Sequence, residues 1–138
     1  MKLTKKYLSE LSYEIIGCAI EVHRELGPGL LEQVYHKCLH YEFELRKLFV
    51  RSQVMIPVTY KDVELDAELK FDFLVNDLVI VEIKSVDRMI PVYDAQLLTY
   101  MKMLSRPKGL LINFNSCNIA SEGVKSMVNG SYSALPES

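Results

Sequence analysis

The fold is decided by the stretch Phe71-Asp72-Phe73-Leu74-Val75-Asn76-Asp77-Leu78-Val79-Ile80-Val81-Glu82-Ile83-Lys84. It contains two apolar runs rich in β-branched and aromatic residues, which is the composition of strands. Asn76-Asp77 separates the runs, and this pair favours a turn. The stretch therefore predicts two neighbouring strands joined by a tight turn.

Two charged residues, Glu82 and Lys84, stand inside the second apolar run. Side chains two apart on a strand share a face, and burying a charge there costs roughly several kcal/mol unless it is paired or binds a metal. If the strands pair about the turn, Asp72 falls almost opposite Glu82. Two carboxylates and a lysine at one end of a small sheet are typical of a divalent-metal hydrolytic site. A salt-bridge cluster that fixes the hairpin register fits the same spacing.

Length and composition describe an ordinary soluble globular chain. Its 138 residues suit one domain, and it is 49% hydrophobic and 25% charged. No apolar run approaches the roughly 18 residues that a membrane span needs, and the N-terminal segment is too amphipathic for a signal peptide. Three scattered cysteines indicate reduced thiols. We therefore expect a cytoplasmic protein without membrane contact.

The net charge of −2 gives no global positive field for non-specific binding to nucleic acid. This disfavours tight duplex binding by the isolated chain. It is compatible with a nuclease, because the ligands of a catalytic metal are themselves acidic.

Two helices are predicted before the central stretch, over residues 4–26 and 30–48, separated by Gly27-Pro28-Gly29. Thr4 is a suitable N-cap for the first helix. The apolar spacing of the second helix predicts a buried row composed of Leu31, Val34, Cys38, Tyr41, Leu45 and Leu48.

Three polar residues of the second helix invite a functional interpretation. Glu32 lies in its first turn, where the helix dipole alone stabilises an acid by about 0.3–1 kcal/mol. His36 and His40 are four apart and share a face. A zinc site there is disfavoured because the Glu that follows the first His in zinc proteases is absent.

The remaining elements complete a mixed sheet. Residues 50–60 alternate as an edge or bulged strand containing Pro57, and residues 63–75 lead into the central stretch. A helix over residues 92–104 then connects to an apolar strand over 110–114, which predicts a parallel pair with a right-handed crossover. A last helix is predicted over residues 122–128, followed by a polar tail.

These elements predict an α/β (α+β) fold with a mixed four-stranded sheet flanked by helices: a three-strand antiparallel meander plus one parallel strand. The domain is expected to occupy residues 1–130, with residues 131–138 as a flexible C-terminal tail.

Four motifs, in this order, resemble those of the PD-(D/E)XK nuclease superfamily, in the branch named for its GxxExxY signature. They are Gly29-Leu30-Leu31-Glu32-Gln33-Val34-Tyr35, then Asp72 with Glu82-Ile83-Lys84, then Gln96-Leu97-Leu98-Thr99-Tyr100, and finally Gly109-Leu110-Leu111-Ile112-Asn113-Phe114. Phe71 replaces the proline of the superfamily motif. Lys70 stands where this branch often has Arg, which would weaken a bidentate phosphate contact.

The resemblance implies a restriction-endonuclease-like core and a Mg²⁺ (or Mn²⁺) cofactor. Asp72 and Glu82 would supply carboxylate oxygens and Ile83 its carbonyl oxygen, in keeping with the oxygen ligands that Mg²⁺ prefers. Glu32 would be a further ligand or would hold water at the site.

The resemblance also implies roles for residues beyond the metal. Lys84 would orient the attacking water or stabilise developing negative charge, and Gln96 would position Lys84 or the nucleophile. Lys70, Tyr100 and Tyr35 would contact the substrate. Core packing is an equal alternative for Tyr100.

Three functions remain open on the sequence. The favoured one is a metal-dependent nuclease acting on DNA or RNA, as a homodimer or with a partner protein. The second is a non-catalytic nuclease-like module that binds nucleic acid or protein. The third is a structural ion-pair cluster, which predicts that loss of Lys84 costs about 3–5 kcal/mol of stability.

Overall fold

A computed structural model describes residues 2–138. Within this range the chain forms α1 (Lys5–Leu26), α2 (Glu32–Leu45), β1 (Val50–Tyr60), β2 (Val63–Val75), β3 (Val79–Lys84), α3 (Pro91–Met103), β4 (Lys108–Asn113), a π-helical turn (Ile119–Gly123), β5 (Val124–Val128) and α4 (Gly130–Ser133). None of the helices in this range combines the length and the apolar character that a membrane span requires.

The strands form one mixed sheet in the order β1-β2-β3-β4-β5. The pairs β1–β2, β2–β3 and β4–β5 are antiparallel, and β3–β4 is parallel. The α+β class, the three-strand meander and the parallel strand reached through a helix are confirmed. The predicted number of four strands is wrong, because a fifth strand pairs with β4.

The fifth strand occupies the segment for which the sequence predicts a last helix. Val124, Met127 and Val128 are spaced as on a helix face, and five residues are too few to reveal the period of a strand. In the structure, Val124 pairs with Ile112 and Val128 with Lys108. Pairing satisfies the main-chain groups at the edge of β4, which outweighs a weak local preference.

The sheet separates two hydrophobic clusters. On one face α1 and α2 pack against the sheet, and on the other face α3 does. Gly109 of β4 lets α3 approach closely, because a Cβ there would lie 2.8 Å from the sulfur of Met101 and 3.0 Å from the Leu97 side chain. The close packing of α3 brings Tyr100 down onto the sheet.

The buried row of α2 differs from the predicted one. Tyr35, Leu39 and Phe43 are fully buried, whereas Leu31 is 68% and Tyr41 62% exposed. The helix carries two neighbouring apolar rows, and periodicity alone does not say which of them faces the sheet. The row with the aromatic residues does, and Phe43 packs edge-on against Phe73 of β2.

The long β1–β2 hairpin continues past the end of β3. Only Phe73, Leu74 and Val75 of β2 pair with β3. At Asp72 the alternation of faces breaks, because Phe73 packs with the α1/α2 cluster and Phe71 with the α3 cluster. The strands β2 and β3 therefore diverge at Asp72, and we call this point the fork.

The C-terminal residues lie against the start of α1. The main-chain N–H groups of Lys5 and Lys6 donate to the carbonyls of Pro136 and Glu137, both at 2.9 Å. Thr4 caps α1 as predicted, since its hydroxyl accepts from the Tyr7 N–H at 3.0 Å.

Candidate active site

Asp72 and Glu82 face each other across the fork, and each carboxylate accepts a hydrogen bond from a main-chain N–H of the other strand. The main-chain N–H of Asp72 donates to Glu82 Oε1 at 2.7 Å. The N–H of Ile83 donates to Asp72 Oδ2 at 2.9 Å. The predicted opposition of Asp72 and Glu82 thus holds, although carboxylates replace main-chain carbonyls as the acceptors.

Burial disfavours the ionised form of both carboxylates. The side chain of Glu82 is 9% exposed, and burial together with the charge of Asp72 raises its pKa above the ordinary value. Burial also raises the pKa of Asp72, opposed by its hydrogen bond from Ile83 and by the positive charges nearby. Carboxylates whose pKa values are raised in this way are a common feature of functional sites.

The arrangement suits a hard divalent cation with two or three protein ligands. Asp72 and Glu82 each use one carboxylate oxygen for the bonds just described, which leaves Asp72 Oδ1 and Glu82 Oε2 as further acceptors. The N–H and C=O of a strand residue point to the same side, so the Ile83 carbonyl also faces Asp72. Across residues 2–138 no three His, Cys, Asp or Glu side chains cluster closely enough to hold a metal alone. Mg²⁺ fits such a site because it keeps several waters.

Glu32 approaches the same site from the first turn of α2. It lines one pocket with Asp72. The loop before α2 is tied to the end of β3, because Ser85 Oγ donates to the Leu30 carbonyl at 2.6 Å. Partial burial and the charge of the nearby Asp72 raise the pKa of Glu32, so the two carboxylates repel each other electrostatically.

The structure places Tyr35 in the core, whereas the resemblance implies a substrate contact. Its side chain is fully buried and stacks on Phe114 with ring centroids 4.6 Å apart. Its hydroxyl donates to the Gly27 carbonyl at 2.6 Å and accepts from the Leu30 N–H at 3.1 Å. Tyr35 therefore holds the Gly27-Pro28-Gly29 loop, where Gly27 has a φ of 71°, and so sets the position of Glu32.

Tyr35→Phe is expected to lower the free energy of unfolding by about 1–3 kcal/mol, because the part-buried Gly27 carbonyl and Leu30 N–H lose their partner. Urea unfolding followed by circular dichroism measures this. Tyr13→Phe is the control, since Tyr13 is 77% exposed. Equal stability of the two variants would contradict the structural role of the Tyr35 hydroxyl.

Lys84 lies at the end of β3, beside the two carboxylates. Its Nζ sits 4.5 Å from the centre of the Tyr93 ring. Its charge lowers the pKa of Asp72, Glu82 and Glu32, yet in the described part of the chain no ion pair within 4.0 Å joins it to any of them. This argues against a structural salt-bridge cluster and leaves the ammonium available.

The remaining predicted residues lie around this centre. Tyr100 is 8% exposed, its ring lies 5.8 Å from that of Phe71, and burial with the charges of Glu82 and Asp72 raises its pKa. Gln96 is exposed on α3, and nowhere in residues 2–138 does a hydrogen bond join it to Lys84. Lys70 is exposed and lines the pocket that Glu32 and Asp72 share.

Three residues that the structure places at or beside the site are absent from the predicted site, although His36 is half of the zinc pair that the sequence disfavours. His36 comes within 4.0 Å of Asp72 Oδ1, and Gln53 lies next to it. Tyr93 holds Lys84. One available signal was the spacing of His36 four positions after Glu32, on the same helix face. His40 is turned elsewhere and hydrogen-bonds Ser52.

Comparison with known proteins identifies the superfamily of the chain. Neither the curated proteins nor the solved structures contain a match to the chain. A family model described as PD-(D/E)XK nuclease superfamily matches residues 9–127, a range that contains Glu32, Asp72, Glu82, Lys84 and Gln96. The chain belongs to the PD-(D/E)XK nuclease superfamily.

Proposed function

We propose that the protein is a Mg²⁺- or Mn²⁺-dependent nuclease that hydrolyses phosphodiester bonds in DNA or RNA. The observation that carries the proposal is the pair of carboxylates at the fork, the buried Glu82 and the half-buried Asp72. Lys84 lies beside them and has no ion pair within residues 2–138. A buried pair of acids is unfavourable unless a cation balances it. Membership of a nuclease superfamily supports the same function.

Asp72 and Glu82 would hold the ion, with the Ile83 carbonyl as a third ligand. When bound, the metal would supply positive charge that neutralises the scissile phosphate and lowers the pKa of the attacking water. Glu32, which lines the same pocket as Asp72, would orient water at the site.

Lys84 would stabilise the negative charge that develops on the phosphate. Tyr93 restricts the Lys84 ammonium through its ring face, so the charge is held near the carboxylates before substrate binds. Gln96 and Tyr100 would contact the nucleophile or the phosphate from α3.

The alternative is a nuclease-like module that binds nucleic acid or protein without cleaving it. Its specific support is the net charge of −2, which suits a chain to which a partner delivers the substrate. The two functions differ in whether dications are needed and whether strands are cut.

The test is cleavage of labelled DNA and RNA, single-stranded and duplex, with Mg²⁺, with Mn²⁺ and with excess chelator. Asp72→Asn is the active-site variant, and Asp66→Asn, an exposed position on β2, is the matched control. We expect cleavage by the wild type and by Asp66→Asn, and at least about a 10²-fold loss in Asp72→Asn, the scale of a removed electrostatic catalytic group.

Calorimetric titration with Mn²⁺ accompanies the cleavage assay. Metal binding that requires Asp72, together with silence on every strand, would favour the non-catalytic module. Cleavage that survives chelation or the loss of Asp72 would contradict the proposed site.

A further inference from the structure

A pocket of about 500 Å³ opens beside Asp72, and we call it the His36 pocket. Glu32 and Asp72 form its acidic side. The rest of its lining comprises Gln33, His36, Lys37, Gln53 and Lys70. The proposed function accounts for the carboxylates and gives no role to these five residues.

His36 is held in place beside Asp72, with its Nε2 4.0 Å from Asp72 Oδ1. Its ring stacks on Phe73, with centroids 4.2 Å apart and planes within 16°. Gln53 Nε2 lies 2.9 Å from His36 Nε2. An imidazole fixed by stacking and by an amide is a preorganised part of the pocket lining.

Gln53 itself adopts an unfavourable backbone conformation. Its φ is 52°, in the left-handed region that residues with a Cβ seldom enter. Backbone strain of this kind concentrates at binding and catalytic sites. The strain directs an exposed glutamine of β1 toward His36 and the pocket.

The chemistry of these lining residues matches one nucleotide. Amides and an imidazole offer both donors and acceptors, as base edges and sugar hydroxyls require, and the two lysines match phosphate oxygens. The volume lies in the range of pockets that enclose a small molecule. A base inside a duplex is paired and stacked, and it enters such a pocket only after being turned out of the helix.

We propose that the His36 pocket binds one unpaired nucleotide next to the scissile phosphate, so that the substrate is a single strand or an unpaired strand end. Gln53 and His36 contact the base or sugar, and Lys70 contacts the phosphate. The position of the subsite next to a scissile phosphate rests on the proposed nuclease function. The binding of an unpaired strand is testable without cleavage.

The experiment measures fluorescence anisotropy of a labelled 12-nucleotide single strand and of its duplex, with Ca²⁺ as the dication. We expect the single strand to bind wild type at least tenfold more tightly than the duplex. Gln53→Ala and Lys70→Met should each raise the Kd for the single strand at least fivefold, with Mn²⁺ affinity within twofold of wild type. Lys61→Met is the control, because Lys61 lies at the tip of the same hairpin.

Gln53→Gly separates a binding role from a structural one. Glycine relieves the left-handed strain, so the melting temperature should rise by a few degrees while single-strand affinity falls as in Gln53→Ala. If Gln53 only supported the fold, affinity would follow the melting temperature upward.

The outcomes distinguish the subsite from the nuclease. Metal-dependent cleavage with unchanged Kd and KM in Gln53→Ala and Lys70→Met would overturn the subsite and leave the nuclease standing. Single-strand binding that needs Gln53 and Lys70, without cleavage, would keep the subsite and remove the nuclease. Preference for the duplex, or no binding of either strand form, would overturn the subsite.

Discussion

Lys84→Met is expected to lower metal-dependent cleavage by about 10²–10³-fold, the loss typical of removing one preorganised group that stabilises the transition state. Its stability should change by no more than about 1 kcal/mol. Lys84 has a ring contact with Tyr93 and no ion pair within the described residues, and a cation–π contact contributes about 0.5–1 kcal/mol. Single-turnover cleavage and urea unfolding measure the two quantities.

The combination of the two results separates the functions that the sequence leaves open. Methionine keeps the length and packing of the lysine stem, and Lys102→Met, exposed on α3, controls for loss of one positive charge. A loss of about 3–5 kcal/mol would restore the structural ion-pair cluster. Full cleavage by Lys84→Met would remove Lys84 from the mechanism.

Glu82→Gln is expected to stabilise the metal-free protein at high pH. Burial and the charge of Asp72 raise the pKa of Glu82 from 4.5 to about 8. The folded protein therefore holds this proton more tightly than the unfolded chain, so the contribution to stability is full below about pH 4.5 and is lost as pH rises through about 8. Glutamine stays uncharged and still accepts from the Asp72 N–H.

Thermal melts of both proteins in chelator, from pH 5 to pH 9, measure this effect. The advantage of Glu82→Gln should be small at pH 5 and reach at least about 1 kcal/mol, or about 3–6 °C, at pH 9. Glu68→Gln, exposed on β2, should follow the wild type at every pH. A variant that is less stable than wild type at pH 9 would contradict the raised pKa.

In the same melts with metal added, wild type should be more stable than Glu82→Gln. Wild type is expected to gain about 2.7 kcal/mol at a metal concentration one hundred times the Kd. Glu82→Gln should gain much less, because an amide is a weaker ligand than a carboxylate. An equal gain in both proteins would place the ion elsewhere.

Local signals were enough to predict most of the fold. Asn76 and Asp77 have φ values of 51° and 58°, as a tight turn between strands requires. Thr4 and Gly27 mark the ends of α1. The opposition of Asp72 and Glu82 follows from strand alternation and this turn, so the centre of the candidate site was predictable.

The parts that could not be predicted depend on tertiary contacts. β5 is a strand because β4 offers it an edge, although its five residues have helical spacing. Gln53 and His36 are seventeen positions apart and meet only because β1 passes the first turns of α2. Tyr35 occupies a motif position for which the resemblance implies a substrate contact, whereas the structure places its side chain in the core, hydrogen-bonded to Gly27 and Leu30.

The two hydrogen bonds at the fork make two main-chain amides reporters of the charge on the carboxylates. The Asp72 N–H donates to the Glu82 carboxylate, and the Ile83 N–H donates to the Asp72 carboxylate. Protonation or metal binding at either acid changes the electron density at its oxygens and so the chemical shift of the donating amide proton. Two backbone resonances thus provide a substrate-free NMR record of charge at the site, one for each acid.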